Sequence, residues 1–151
     1  MSSARLVLVS LLILATIIID LLVSFVYELP YEFGGQGDPN NMAGDFVAHG
    51  TALAPPLVPI ILLMVFAFLA PSRRWWGTLS VVGLILLGVL FTVGQLGESF
   101  VPGNFAGFGA AGIGALRVVG ILLAVSMVIF GTLELVGRMR ARRVTDRHPR
   151  L

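Results

Sequence analysis

The chain has 151 residues, 57% of them hydrophobic and only 12% charged, with a formal net charge of +2 and a mean hydropathy of +0.97. A soluble domain cannot hide that much apolar surface, so lipid is the expected solvent. Cysteine is absent, which excludes disulfide exchange, thiolate metal sites and S-palmitoylation.

Four apolar runs, 6–26, 46–70, 75–95 and 116–136, each reach the roughly 20 residues that a helix of about 1.5 Å rise needs to cross about 30 Å of hydrocarbon. They are too long and continuous for the roughly ten-residue alternating strands of a barrel, and a helix satisfies its own backbone in lipid. The expected fold is all-α: one four-helix transmembrane domain, with a basic tail at 137–151.

The first run follows Arg5, and no small-x-small cleavage site comes after it; it reads as an uncleaved signal anchor. Counted outward from Arg5, Phe25 falls at the far boundary and Asp20 about 7 Å inside the hydrocarbon. A bare carboxylate there costs about 2.5–3.5 kcal/mol on insertion scales, so Asp20 is expected to face the protein interior, paired or neutralised. Thr16, Asp20, Ser24 and Tyr27 recur at helical spacing and predict a polar stripe on that face.

The loop that follows is rich in turn formers and acid, with Gly34, Gly35 and Gly37 but no basic residue; phosphate binding is disfavoured and a solvated linker expected. Glu32, Asp38, Asn40, Asn41 and Asp45 offer oxygen ligands for a weak calcium site, but their spacing does not match the twelve-residue helix-loop-helix pattern. Asp45 precedes the second run and is expected to cap it. In that run Pro55, Pro56 and Pro59 lack amide hydrogens, which deprives the carbonyls of Thr51, Ala52 and Pro55 of helical donors and predicts a kink. Such a kink serves packing or lines a cavity.

Pro71-Ser72-Arg73-Arg74 makes a short turn that forces the second and third helices to be antiparallel neighbours, and Trp75 and Trp76 beside it fit an interfacial belt. The third run ends in a polar stripe of Thr92, Gln95 and Glu98 or Ser99. The stretch 103–114 is apolar yet too rich in glycine for a stable helix, and is expected to lie on the membrane or form a mobile loop, with Ala106, Ala110 and Gly114 available for docking. In the fourth run Arg117, Gly120, Ala124 and Gly131 share one face suited to close packing. Glu134 is expected to pair with Arg138 one turn on.

Nine of the ten arginines sit before the first run, between the second and third, or after the fourth, whereas Glu28, Glu32, Asp38, Asp45 and Glu98 occupy the other loops. The positive-inside rule then puts both termini in the cytoplasm. Ten arginines and no lysine suggest a high-GC genome and a bacterial inner membrane.

Counted from the arginine-rich ends, His49, Gln95, Glu98 and Arg117 reach one outer tier just above Asp20. These five residues form the candidate ligand-binding set, with Asp20 and Arg117 the natural ion pair. The same pair also serves simply to fix helix register. One histidine near the membrane cannot supply bis-histidine haem ligation or a di-iron cluster, and no Gly-x-Ser-x-Gly, His-Glu-x-x-His or Walker lysine occurs; no cofactor, resident metal or catalytic residue is expected. Two function classes lead, with an intramembrane enzyme third. One is a non-enzymatic membrane component that associates with itself or a larger complex, its basic tail on anionic lipid; the other is a small carrier or ligand- or lipid-binding protein using Asp20 and Arg117. No nucleic-acid partner is expected.

Overall fold

A computed structural model describes residues 2–28, 37–51, 53–97 and 109–147. All regular structure among them is helical: α1 (Ser2–Val26), α2 (Met42–Ala48) after a 3-10 turn at Pro39–Asn41, α3 (Leu57–Leu69), α4 (Trp75–Gly97) and α5 (Gly109–Arg147). Among the described residues three helices are long and apolar enough to cross a membrane, with 18-residue windows of mean hydropathy 3.0 within Ser3–Val26, 2.3 within Trp75–Gly97 and 2.4 within Gly112–Ala141. Side-by-side packing runs from α1 to α5, α5 to α4, α4 to α3 and α3 back to α1.

Along α1, Leu6, Ser10, Ile13, Ile17, Asp20 and Ser24 are buried, whereas Leu8, Leu11, Leu12, Ile18, Ile19 and Leu22 are exposed. Two interleaved seven-residue series, 6-13-20 and 10-17-24, therefore make the inward face, a spacing that keeps one seam against its neighbours. The expected polar stripe is present at Asp20 and Ser24. Tyr27 departs from it: the helix ends at Val26 and Tyr27 is exposed.

Helices α4 and α5 approach closely where glycines leave room for the facing helix. A methyl at Gly88 would lie 3.0 Å from the Ala124 carbonyl oxygen, and one at Gly131 would lie 2.6 Å from Ile85 Cγ1. At the arginine-rich end, Glu134 Oε1 accepts from Arg138 Nε at 2.8 Å, as expected from their spacing. Arg138 does more than pair, because Nη1 donates to the Ser72 carbonyl at 3.0 Å and Nη2 to that of Ala70. It thereby serves carbonyls left over at the end of α3. Arg74 lies over the Trp76 ring, 5.1 Å from its centroid.

Three expectations about local structure need correction. The second apolar run is not one kinked helix: α2 stops at Ala48 and α3 begins at Leu57, and α3, at 13 residues, extends only about 20 Å. Pro56 is the N-cap of α3 and Pro59 lies in its first turn, where amide hydrogens have no intrahelical partner and prolines remove nothing. Asp45 is not a cap; it sits in the first turn of α2, its Oδ2 accepting from the Asp38 amide at 3.0 Å, while Asp38 caps the 3-10 turn through the Asn40 amide. Finally, the glycine-rich stretch is already helical from Gly109. Ile113 is buried there with Leu53, against Val23 and Leu116, and tertiary packing overrides the weak propensity.

The break between α2 and α3 depends on Gly50, whose φ of +90° belongs to the left-handed region, and whose added methyl would lie 2.5 Å from the Ala54 carbonyl oxygen. Gly50→Ala is expected to destabilise the protein by about 1–3 kcal/mol. Gly137→Ala, where a methyl meets nothing within 4 Å, is expected to be neutral or stabilising by up to about 1 kcal/mol. Unfolding in detergent monitored by circular dichroism distinguishes them; equal effects would contradict the strained turn.

Candidate functional site

Beyond Gly50 the described residues between α2 and α3 make no helical hydrogen bonds, so their buried polar atoms need other partners. Thr51 supplies most of them. Its amide donates to the Ala54 carbonyl at 2.8 Å, and its Oγ1 accepts from the amides of Ala54 at 3.0 Å and Leu53 at 3.4 Å. The same hydroxyl donates to Ser24 Oγ on α1 at 2.9 Å. Thr51 and Ser24 are both buried, so the turn is closed on itself and tied to α1 by one side chain.

Beside this turn lies a cavity of about 290 Å³. Residues 13–20 of α1, 49–59 of the turn and α3, 90–95 of α4 and 120–124 of α5 contribute to its wall. Most of that wall is apolar, from Ile13, Ile17, Leu53, Pro55, Leu90 and Leu123; its polar members are Thr16, Asp20, His49, Thr51 and Gln95. An apolar enclosure with a few polar groups is the usual make-up of a small-molecule site.

Of the five residues singled out in the sequence, Asp20, His49 and Gln95 come together on this wall. Asp20 is 4% exposed and reaches the cavity from the inward seam of α1. His49 is exposed; it follows the last residue of α2, its amide donating to the Asp45 carbonyl at 2.7 Å. Gln95 is half-buried on the last turns of α4, and its Oε1 is buried with no hydrogen-bond donor among the described residues. Arg117 is buried at 7% exposure but does not line the cavity, whose nearest wall residue on α5 is Gly120. Glu98 lies outside the described residues.

The oxygen-rich loop residues that suggested calcium are otherwise engaged where they are described. Asp38 Oδ1 accepts from Asn40 at both its amide, 2.8 Å, and Nδ2, 3.1 Å, and Asp45 binds the Asp38 amide. Among the described residues no three acidic or histidine side chains converge as a metal site; Glu32 lies outside them.

Sequence reasoning named Thr51 only for its carbonyl and missed the role of its hydroxyl and the link to Ser24. The local signal was Gly50-Thr51 shortly before Pro55-Pro56, a glycine and a hydroxyl residue ahead of a proline pair, which marks a turn even inside an apolar run. Comparison of the chain with protein-family models, curated proteins and solved structures gives no match.

Thr51→Val keeps the side-chain shape but removes the acceptor for two amides and the donor to Ser24, and is expected to cost about 2–4 kcal/mol. Ser24→Ala leaves the Thr51 oxygen free to serve both amides and is expected to cost only about 1 kcal/mol. Unfolding titrations of the two variants in mixed micelles measure the difference; a larger loss for Ser24→Ala would place the essential contact elsewhere.

Proposed function

We propose that the chain is a multi-pass protein of a bacterial inner membrane, spanning the bilayer four times with both termini cytoplasmic, and that it acts by binding rather than by catalysis. Its ligand is a small amphiphile held in the cavity beside the broken second span, toward the outer leaflet. The observation that carries this reading is a 290 Å³ cavity with an apolar wall into which the sequence places a carboxylate only 4% exposed. A charge in hydrocarbon is expensive, and intramembrane carboxylates commonly mark pathways or sites. Interrupted helices are likewise where membrane proteins commonly place binding sites.

The topology is supported by the arginine distribution and by the short link at Ala70 to Arg74, where Arg138 closes on the turn. Helix α5 carries Arg138, Arg140, Arg142, Arg143 and Arg147 toward its end, a sequence suited to anionic lipid on the cytoplasmic face. Single cysteines at Gly35 and at Pro71 test the orientation with a membrane-impermeant maleimide on intact cells. Labelling is expected at position 35 only; labelling at 71 would invert the topology.

The binding role is tested by filling the cavity. At Gly120 an added methyl would meet nothing closer than 3.5 Å, at Gln95 Cδ, so Gly120→Leu is accommodated locally and projects into the empty volume. Mass spectrometry of species that co-purify in mild detergent is expected to find an amphiphile on the wild type and about tenfold less on the variant, a change of roughly 1.4 kcal/mol. Equal retention by both, or none on either, would overturn the binding role.

A further inference from the structure

The polar residues of the cavity wall narrow the chemistry of its ligand, and this inference rests on the binding role just proposed. Asp20 and His49 each interact with other groups of the protein, so neither asks a guest for a countercharge. Thr51 is fully spent: its hydroxyl hydrogen goes to Ser24 at 2.9 Å, and its oxygen accepts from the amides of Ala54 at 3.0 Å and Leu53 at 3.4 Å, which uses both lone pairs. Thr16 is half-buried and donates its hydroxyl to the Leu12 carbonyl of its own helix at 3.0 Å. Gln95 stands apart, because its Oε1 is buried and receives no hydrogen bond from the described residues.

The Gln95 amide also has room to meet a guest. A methyl built on Gly120, itself part of the wall, would lie 3.5 Å from Gln95 Cδ and 3.8 Å from Oε1, so glycine at 120 leaves the amide uncovered on that side. A buried oxygen without a donor bears the whole cost of its desolvation, and a guest that donates one hydrogen bond to it recovers that cost. An ion would instead enter an apolar wall whose charged groups are already engaged, and burying a charge without a partner is expensive.

We propose that the cavity selects an uncharged amphiphile with a hydroxyl head, the hydroxyl donating to Gln95 Oε1 and the apolar body lying against Ile13, Ile17 and Leu123. A hydroxyl carries lone pairs as well as a hydrogen, so it complements both ends of a carboxamide. An ether of the same body brings acceptors only and leaves Oε1 unsatisfied. An ammonium head brings donors together with a charge that the wall does not match.

Three guests that share one apolar body test this: 4-phenylbutanol, its methyl ether and 4-phenylbutylamine. Each is measured by equilibrium dialysis against the full chain in phosphatidylcholine nanodiscs, with uptake by empty nanodiscs subtracted. The alcohol is expected to bind about fivefold tighter than the ether, and the amine no tighter than the ether. In Gln95→Met the alcohol is expected to fall to within about twofold of the ether, while the ether keeps its affinity. A second readout needs no variant: in solid-state NMR of the wild type in bilayers, the Gln95 Cδ signal is expected to move with the alcohol and not with the ether. Equal affinities of alcohol and ether on the wild type, or the amine as the tightest guest, would overturn the hydroxyl assignment and leave the binding role standing. A preference undiminished in Gln95→Met, or a Gln95 signal that the alcohol does not move, would overturn the placement of the head at Gln95. No binding by any of the three would overturn the binding role itself.

Discussion

In hydrocarbon a backbone amide or carbonyl has no water to turn to, so a chain that leaves the helical conformation inside a membrane protein must supply its own partners. That constraint governs the stretch between Ala48 and Leu57. Gly50 adopts the one positive φ that the turn needs, the Thr51 hydroxyl gathers two amides and the Ser24 hydroxyl, and Pro55, Pro56 and Pro59 occupy positions that ask nothing of an amide hydrogen. The cavity lies beside the interruption, and Thr51 is the residue that supplies most of the hydrogen-bond partners there.

The two ends of the molecule differ for physical reasons. Toward the arginines, Ala70, Val81, Leu84 and Met127 are fully buried, Gly88 and Gly131 let α4 and α5 approach closely, and Arg138 joins α5 to the end of α3. A methyl on Gly77 would overlap the Ser72 carbonyl oxygen, at 1.9 Å, so the turn lies directly on the start of α4. Toward the acidic loops the small residues of α5, Gly120 and Ala124, face open volume instead. Close packing at one end and a cavity at the other thus distinguish the two halves of the molecule.

The sequence carried much of this arrangement in readable form. Continuous apolar length predicted α1, α4 and the body of α5, and the cost of a charge in lipid predicted that Asp20 would turn inward. Spacing at four residues predicted the Glu134–Arg138 pair. What it hid is non-local. Hydropathy counts side chains and ignores the backbone, so Gly50 to Pro56 looked like the outer part of one kinked span. The partner that stabilises the turn, Ser24, is 27 residues away, and the carbonyls that Arg138 reaches are 66 and 68 residues away. Asp45 looked like a cap because local pattern cannot show that α2 begins earlier, at Met42. Counting depth from the arginine-rich ends brought His49 and Gln95 to one tier just above Asp20, and the fold puts all three on one wall; the same count could not show that Arg117 stands off it.

The interruption between α2 and α3 is the central claim, because the cavity that Asp20 lines lies beside it. Backbone chemical shifts from solid-state NMR of the labelled protein in lipid bilayers measure it directly. Helical shifts are expected at 42–48 and 57–69, non-helical shifts at 50, 51 and 53–55 with Gly50 in the left-handed region, and a through-space correlation between Thr51 and Ser24. An unbroken series of helical shifts from 46 to 70 would contradict the account.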